Sequence, residues 1–287
     1  MTKIIVAAPA KINLTLDVKG KRHDGYHELE TVMHQVSLVD KITLEKADSI
    51  SLNSDSNLIP HDKTNLAYQA AQLILQRLGS GEGVKIFIEK NIPVGAGLAG
   101  GSTNAAAVLL GINRLYNYNL DYQTLGEMAL ELGSDVPFCL STSPSAIARG
   151  RGELLTPLPD IRKLHFLLVK PDFQVATREI FADFELGQVK ETPDLDAFVQ
   201  AWQEYDIINL NKHMVNVLET VSLSRYPEIA QIKQTLKDKG ALSAVMSGSG
   251  PTVWGWFNDP HSWQSAYEYL ASSYQEVFKV SSYARGE

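Results

Sequence analysis

At 287 residues the chain exceeds the usual domain of ~100 to 200 residues, so two compact units are expected. Its 44% hydrophobic and 21% charged residues, with 20 Gly and 12 Pro, exclude a collagenous or disordered chain. A net charge of -7 argues against nucleic acid or anionic membrane as the main partner, because both are held by clustered Lys and Arg; an anionic ligand would need a local site. The lone Cys139 allows no intrachain disulfide and no C-x-x-C pair, which points to the cytoplasm. Residues Ile4 to Ala10 are too short, and too soon broken by Pro9 and Lys11, for a signal peptide, and no run approaches the ~20 apolar residues of a membrane span.

In chain order, Ile12, Leu14, Leu16 and Val18 alternate with Lys11, Asn13, Thr15 and Asp17, which predicts a half-buried strand. Strands follow at Lys41 to Glu45 and Val84 to Glu89. Between them lies a helix over Asn65 to Leu78, with Asn65 at its start. Asn104 to Tyr116 is apolar nearly all round, as in a helix buried on several sides. Asp121 opens a further helix that Gly133 ends after Leu132. The glycine- and proline-rich stretch Arg149 to Pro159 suggests a division near residue 155, giving domains 1–155 and 156–287. Beyond it come a strand at Leu164 to Val169 and helices over Asp194 to Tyr205, Met214 to Val221 and Pro227 to Lys239. Strands flank Ser247 to Pro251, and a last helix runs from Pro260 to Tyr274. No internal repeat or low-complexity tract is present.

The stretch Pro93, Val94, Gly95, Ala96, Gly97, Leu98, Ala99, Gly100, Gly101, Ser102, Thr103 runs straight into the buried helix. Backbone N–H groups and the positive helix end converge there, which makes an anion site, and glycine lets a phosphate approach with no Cβ in the way. A tight strand-to-helix loop without a ligand is the plainer alternative. Gly95 to Gly100 also matches the dinucleotide fingerprint G-x-G-x-x-G, but Asp121, about where that motif needs its acidic residue, opens another helix instead. Gly95 to Ser102 fits a Walker A pattern with its lysine replaced by Gly101, so a missing cation must come from elsewhere.

Pro9-Ala-Lys-Ile-Asn13, the glycine loop and Ser247-Gly-Ser-Gly-Pro-Thr252 together resemble the GHMP kinases. Asp24-Gly-Tyr-His27, Gly133-Ser-Asp-Val-Pro137 and the overall length look like the branch that phosphorylates a cytidine diphosphate alcohol in isoprenoid precursor synthesis. The resemblance covers nearly the whole chain. It implies an α+β, two-domain fold, with an amino-terminal domain like ribosomal protein S5 domain 2 and a ferredoxin-like carboxyl-terminal domain, ATP and the alcohol meeting between them. It further implies Lys11 and Asp135 as catalytic residues, and ATP phosphates at residues 93 to 103 with adenine near Asn65 and Lys90. Substrate contacts would come from Asn13, Tyr26, His27, Thr177 and Phe181, and Mg²⁺ from Ser102 or Thr103, in a monomer or homodimer. Asn104 stands where many relatives have Asp, which removes a charge near the metal.

Plainer readings stand beside these. Lys11 fits a solvated strand lysine, Asp135 a helix N-cap ahead of Pro137, His27 a surface loop residue, Tyr26 a packing residue, and Ser247 to Thr252 a hairpin connection. For the last of these, a phosphate or loop-closing role is the preferred expectation. Two other functions remain open: a GHMP kinase for a sugar, homoserine or mevalonate, and a catalytically idle ligand sensor.

Overall fold

The computed structural model of the protein describes residues 2–160 and 163–284. Two compact units interleave along the chain. The first takes the residues up to Ala10, Leu38–Val94 and Ala99–Thr142; the second takes Lys11–Ser37, Gly95–Leu98 and the residues from Ser143 on. Two long strands, β1 (Lys3–Lys21) and β2 (His27–Ala47), contribute to each. Both outrun the short strands expected from sequence. Pro9 does not end β1, because proline lacks only the N–H and its φ suits extended backbone.

In the first unit, residues Lys41 to Ala47 of β2 pair antiparallel with β4 (Gly83–Glu89), and β3 (Ser51–Ser54) adds in parallel outside β4. Ile42, Leu44, Val84, Ile86 and Ile88 point into a core closed by α1 (Leu66–Arg77), α2 (Gly100–Leu115), α3 (Tyr122–Leu132) and α4 (Val136–Leu140). The N-caps read from sequence hold: Asn65 accepts from Ala67 N and Asp121 from Thr124 N. Helix α2 buries Ala105, Ala106, Ala107, Val108, Leu109, Ile112 and Leu115, which accounts for its nearly unbroken apolar composition.

In the second unit, Leu29 to His34 of β2 pair with β5 (Ser145–Gly150), which folds back as β6 (Leu154–Pro157). The glycines of the stretch 149–159 therefore punctuate a hairpin, with Gly150 and Gly152 at φ 73° and 110°. A separate sheet has the order β10-β7-β9-β8, from β7 (His165–Lys170), β8 (Ser243–Met246), β9 (Val253–Phe257) and β10 (Glu276–Ser281). Short α5 (Thr177–Ala182) follows β7. Helices α6 (Leu195–Glu204), α7 (Ile207–His213), α8 (Glu219–Arg225) and α9 (Pro227–Asp238) precede β8, and α10 (Pro260–Ala271) links β9 to β10. With α9 and α10 as crossovers this is the β-α-β-β-α-β pattern of a ferredoxin-like domain.

Three expectations are corrected. The helix expected over Met214 to Val221 is split, because Leu16 N donates to Val215 O at 2.8 Å and Val217 N to Leu16 O at 3.0 Å. Pairing with β1 takes the backbone that a helix would have used. The last helix ends at Ala271 rather than Tyr274. In β1 the polar face is buried as well: Lys11, Asn13, Thr15 and Asp17 are each at most 5% exposed. The strand is therefore covered on both sides rather than half-buried.

Candidate active site

The second unit holds the middle of the glycine loop, Gly95–Leu98. Gly95 and Gly97 take φ 66° and 75°, and an ideal Cβ on Gly97 would lie 2.4 Å from Ser247 O, so only glycine fits there. Ser247 Oγ donates to Gly97 O at 2.9 Å, and Leu98 O accepts from Lys11 N at 3.1 Å. The Ser247 to Thr252 segment is thus both the β8–β9 hairpin connection and a brace for the loop. Asn216 supports it, donating through Nδ2 to Met246 O and Gly248 O.

Lys11 is not a solvated strand lysine. Its Nζ donates to Asn13 Oδ1 at 2.9 Å, Asn13 Nδ2 donates to Thr31 Oγ1 at 2.9 Å, and Trp254 Nε1 donates to Asn13 O. An ideal Cβ on Gly248 would lie 3.9 Å from Lys11 Nζ and 3.5 Å from Asn13 Oδ1. The missing side chain leaves the ammonium and the amide facing the Gly248 backbone. A buried cation held this way is pre-aimed, at the cost of its desolvation.

Also in the second unit, the Asp24-Gly-Tyr-His27 corner is built by its own residues. Asp24 Oδ1 accepts from Tyr26 N, Gly25 takes φ 85°, and Arg22 N donates to Tyr26 O at 2.7 Å. The corner delivers His27 onto Phe181 with ring centroids 5.1 Å apart, and Phe184 meets His27 edge-on at 6.4 Å. Tyr26 is 55% exposed, with the Arg151 guanidinium over its ring at 4.9 Å. Burial, with Lys21 adding its charge, lowers the His27 pKa below its ordinary value. Thr177, at the start of α5, shares a 2.7 Å hydrogen bond with Ser249 Oγ. Arg151 carried no sequence signal, because a basic residue in a hairpin turn is ordinary.

The first unit holds the end of the loop. Ala99 caps α2 in the left-handed region at φ 56°, an uncommon conformation for a residue with a Cβ. Thr103 N donates to Ala99 O, so the N–H groups of Gly100, Gly101 and Ser102 precede the first intrahelical donor. Gly101 is exposed, and a Cβ there would meet nothing nearer than Leu66 Cδ1 at 3.6 Å. Thr103 is buried, and among the described residues its Oγ1 finds no hydrogen-bond partner. A helix start with open glycine and three leading N–H groups fits a phosphate.

Asp40 was not singled out by motif reading, yet it lies at the centre of this unit's polar network. It accepts from Asn91 N and Ile92 N, from Lys90 Nζ at 2.7 Å and from Asn104 Nδ2 at 2.8 Å. Lys90 also donates to Ile92 O, so two of its three ammonium donors are spent inside the protein. Burial lowers the Lys90 pKa, against the opposing pull of Asp40. The signal for Asp40 is its parity: it shares the strand face of Ile42 and Leu44, where a charge needs a partner.

Asp135 takes the N-cap position of α4, but its carboxylate makes no capping hydrogen bond. Among the described residues no group of three or more His, Cys, Asp or Glu is placed to hold a metal ion. Asn104 turns its amide to Asp40, and Ser102 is half-buried in the first turn of α2.

Comparison with known proteins shows the family. The family model GHMP kinases N terminal domain matches residues 65–143, and GHMP kinases C terminal matches residues 182–276. These matches define an ATP-dependent kinase of the GHMP class. A 4-diphosphocytidyl-2-C-methyl-D-erythritol kinase of Syntrophomonas wolfei is 58% identical over 281 residues, covering 98% of each chain. One from Alkaliphilus oremlandii is 44% identical, covering 100% of this chain and 99% of the relative. The crystal structure of a 4-(cytidine 5'-diphospho)-2C-methyl-D-erythritol kinase superposes with TM-score 0.84 at 33% identity, over 98% of this chain and 100% of that one. A homoserine kinase from Cytophaga hutchinsonii, at 20% identity and TM-score 0.78 over 99% of this chain and 95% of its own, shares the fold alone. The chain belongs to the 4-diphosphocytidyl-2-C-methyl-D-erythritol kinase family. Among the described residues no helix is long and apolar enough to cross a membrane.

Proposed function

We propose that the protein transfers the terminal phosphoryl of ATP to a hydroxyl of 4-diphosphocytidyl-2-C-methyl-D-erythritol, giving the 2-phosphate, in the cytoplasm and on the non-mevalonate route to isoprenoids. In this reading residues 1–155 carry the ATP-binding function and 156–287 complete the enzyme. The observation that carries the substrate assignment is His27 packed on Phe181 beside the exposed Tyr26. A cytosine needs a flat surface and a hydrogen-bonding edge, and these residues supply both.

Phosphoryl transfer passes through a loose transition state, so the work is positioning and charge stabilisation. The N–H groups of Gly100, Gly101 and Ser102 hold phosphate oxygens, and Lys11 supplies the cation that the loop lacks. Asn13 fixes the Lys11 ammonium through its 2.9 Å hydrogen bond and lines the alcohol's site. Asp135 accepts the proton of the attacking hydroxyl. Mg²⁺ arriving with ATP would neutralise phosphate charge, and the Ser102 hydroxyl would help hold it. Thr103 is the weaker choice of the two, because its hydroxyl is buried. Asn65 and the chain around Lys90 border adenine, and Thr177 is held by Ser249 for contact with the alcohol.

The test is steady-state kinetics with ATP and a panel of alcohols, including homoserine, mevalonate and sugars. The cytidine-bearing alcohol should be strongly preferred; preference for an acceptor without the base would leave only the broader kinase assignment. His27→Ala and Phe181→Ala should each raise KM for that alcohol at least ~10-fold, since a stacked base is worth ~1 to 3 kcal/mol. The ATP KM should stay nearly constant. Wild-type KM for the cytidine alcohol in both variants would refute the cytosine slot.

A pH profile adds an independent check. A neutral imidazole offers one donor and one acceptor, and protonation removes the acceptor. With the His27 pKa lowered by burial, the neutral ring persists on acidification through the ordinary histidine range around 6.5. KM for the alcohol should stay flat down to that pH and rise only below it. A rise already beginning near pH 8 would contradict the assignment of His27 as the base reader.

A further inference from the structure

A fully buried carboxylate is expensive unless its lone pairs are met, and those of Asp40 are met by four donors. Oδ1 takes Asn91 N at 2.7 Å and Ile92 N at 2.8 Å; Oδ2 takes Lys90 Nζ at 2.7 Å and Asn104 Nδ2 at 2.8 Å. Their places in the chain are informative. Three donors come from residues 90 to 92, immediately before the glycine loop, and the fourth from residue 104, immediately after it. A single side chain therefore ties the loop's entry to its exit.

We propose that Asp40 is a positioning residue for ATP, whose carboxylate sets the span of the 93–103 loop and so the aim of its phosphate-binding N–H groups. It touches no ligand itself. Lys90 extends the effect, because its Nζ also donates to Ile92 O at 2.5 Å and would lie 3.1 Å from a Cβ on Gly100. The ammonium thus backs the first glycine of α2. The same network explains the amide at residue 104. An Asp there would face the Asp40 carboxylate across a buried 2.8 Å contact, with like charges and no hydrogen between them, whereas Asn donates. In this chain Asn104 serves the loop's geometry rather than a metal.

The proposal rests on the reading of the loop as the ATP site, so the test measures ATP binding directly. Calorimetric titration of the whole protein with Mg-ATP, without alcohol, would compare wild type with Asp40→Asn, Asn104→Asp and the double variant Asp40→Asn/Asn104→Asp. Each single change removes a charge match or creates a clash, and each should weaken ATP at least about tenfold. KM for the alcohol should stay within about twofold, a split that general destabilisation would not produce. The double variant restores one carboxylate facing one amide and should recover ATP affinity to within about threefold of wild type. Wild-type ATP affinity in folded single variants, or a double variant no better than the worse single one, would overturn the proposal. Should Asp40→Asn fail to fold, Asn104→Ala carries the test by removing one donor of four. ATP weakened about threefold or more with the alcohol KM unchanged supports the staple, and unchanged ATP affinity overturns it. Wild-type protein that takes up no ATP would instead sink the reading of the loop, a result distinct from either.

Discussion

An Asp135→Asn enzyme is expected to fold as wild type does and to lose about 10² to 10⁴ in kcat, the range for removing a general base. Loss of a helix cap does not confound this substitution. Asp135 holds the N-cap position at φ -81° and ψ -17°, yet its carboxylate makes no capping hydrogen bond. Helix α4 starts instead on Pro137 in its first turn and on the backbone bond from Cys139 N to Asp135 O, which any side chain at 135 leaves in place. The usual penalty for deleting a cap, about 1 kcal/mol, should therefore be absent. What asparagine removes is the ability to take a proton from the attacking hydroxyl. Because a base acts mainly in the transition state, the loss should fall on kcat, with both KM values nearly unchanged. Steady-state kinetics beside a thermal melt would decide it. A kcat within a few-fold of wild type would remove Asp135 from the chemistry.

Gly101→Val should raise the ATP KM on the order of 100-fold while the protein stays folded, equivalent to two charge-assisted hydrogen bonds to phosphate. The choice among the loop's glycines matters. At Gly97 a side chain would collide with Ser247 O at 2.4 Å and would have to adopt φ 75°, so a defect there would report on folding. At Gly100 it would press on Lys90 Nζ and Ile92 at 3.1 and 3.2 Å, disturbing the Asp40 network. Gly101 is exposed in the first turn of α2, and its nearest neighbour, Leu66 Cδ1, lies at an ordinary 3.6 Å. The protein has room for valine; a phosphate at the helix start does not. The KM for the alcohol should move little. Normal ATP affinity in the folded variant would take the loop out of the site.

The geometry of the glycine loop could be read from sequence because its determinants are local. A nest of N–H groups needs glycines at set offsets and a helix directly after them, and both are written into residues 93 to 116. The caps at Asn65 and Asp121 and the apolar α2 were legible for the same reason, since each depends on residues within a turn or two. The motifs around His27 and Ser247 marked positions but left their roles open between packing and binding.

The roles of Lys11, Asp40 and Arg151, and the backbone path at residues 214 to 218, depended on distant chain. Alternation in β1 showed two faces, but whether the polar face was wet depended on what covered it; Trp254, more than two hundred residues away, bonds the Asn13 carbonyl. Helical propensity near Met214 lost to Leu16, whose backbone groups offered Val215 and Val217 a ladder instead. Asp40 looked like one more charge on a strand until residues 90 to 92 placed three donors around it and Asn104 a fourth. Sequence alone determined where glycines and leading N–H groups gather at the start of α2, because that information spans a few bonds. Tertiary structure decided which charges are buried and what they hold in place, because burial is set by whichever segment arrives to cover them.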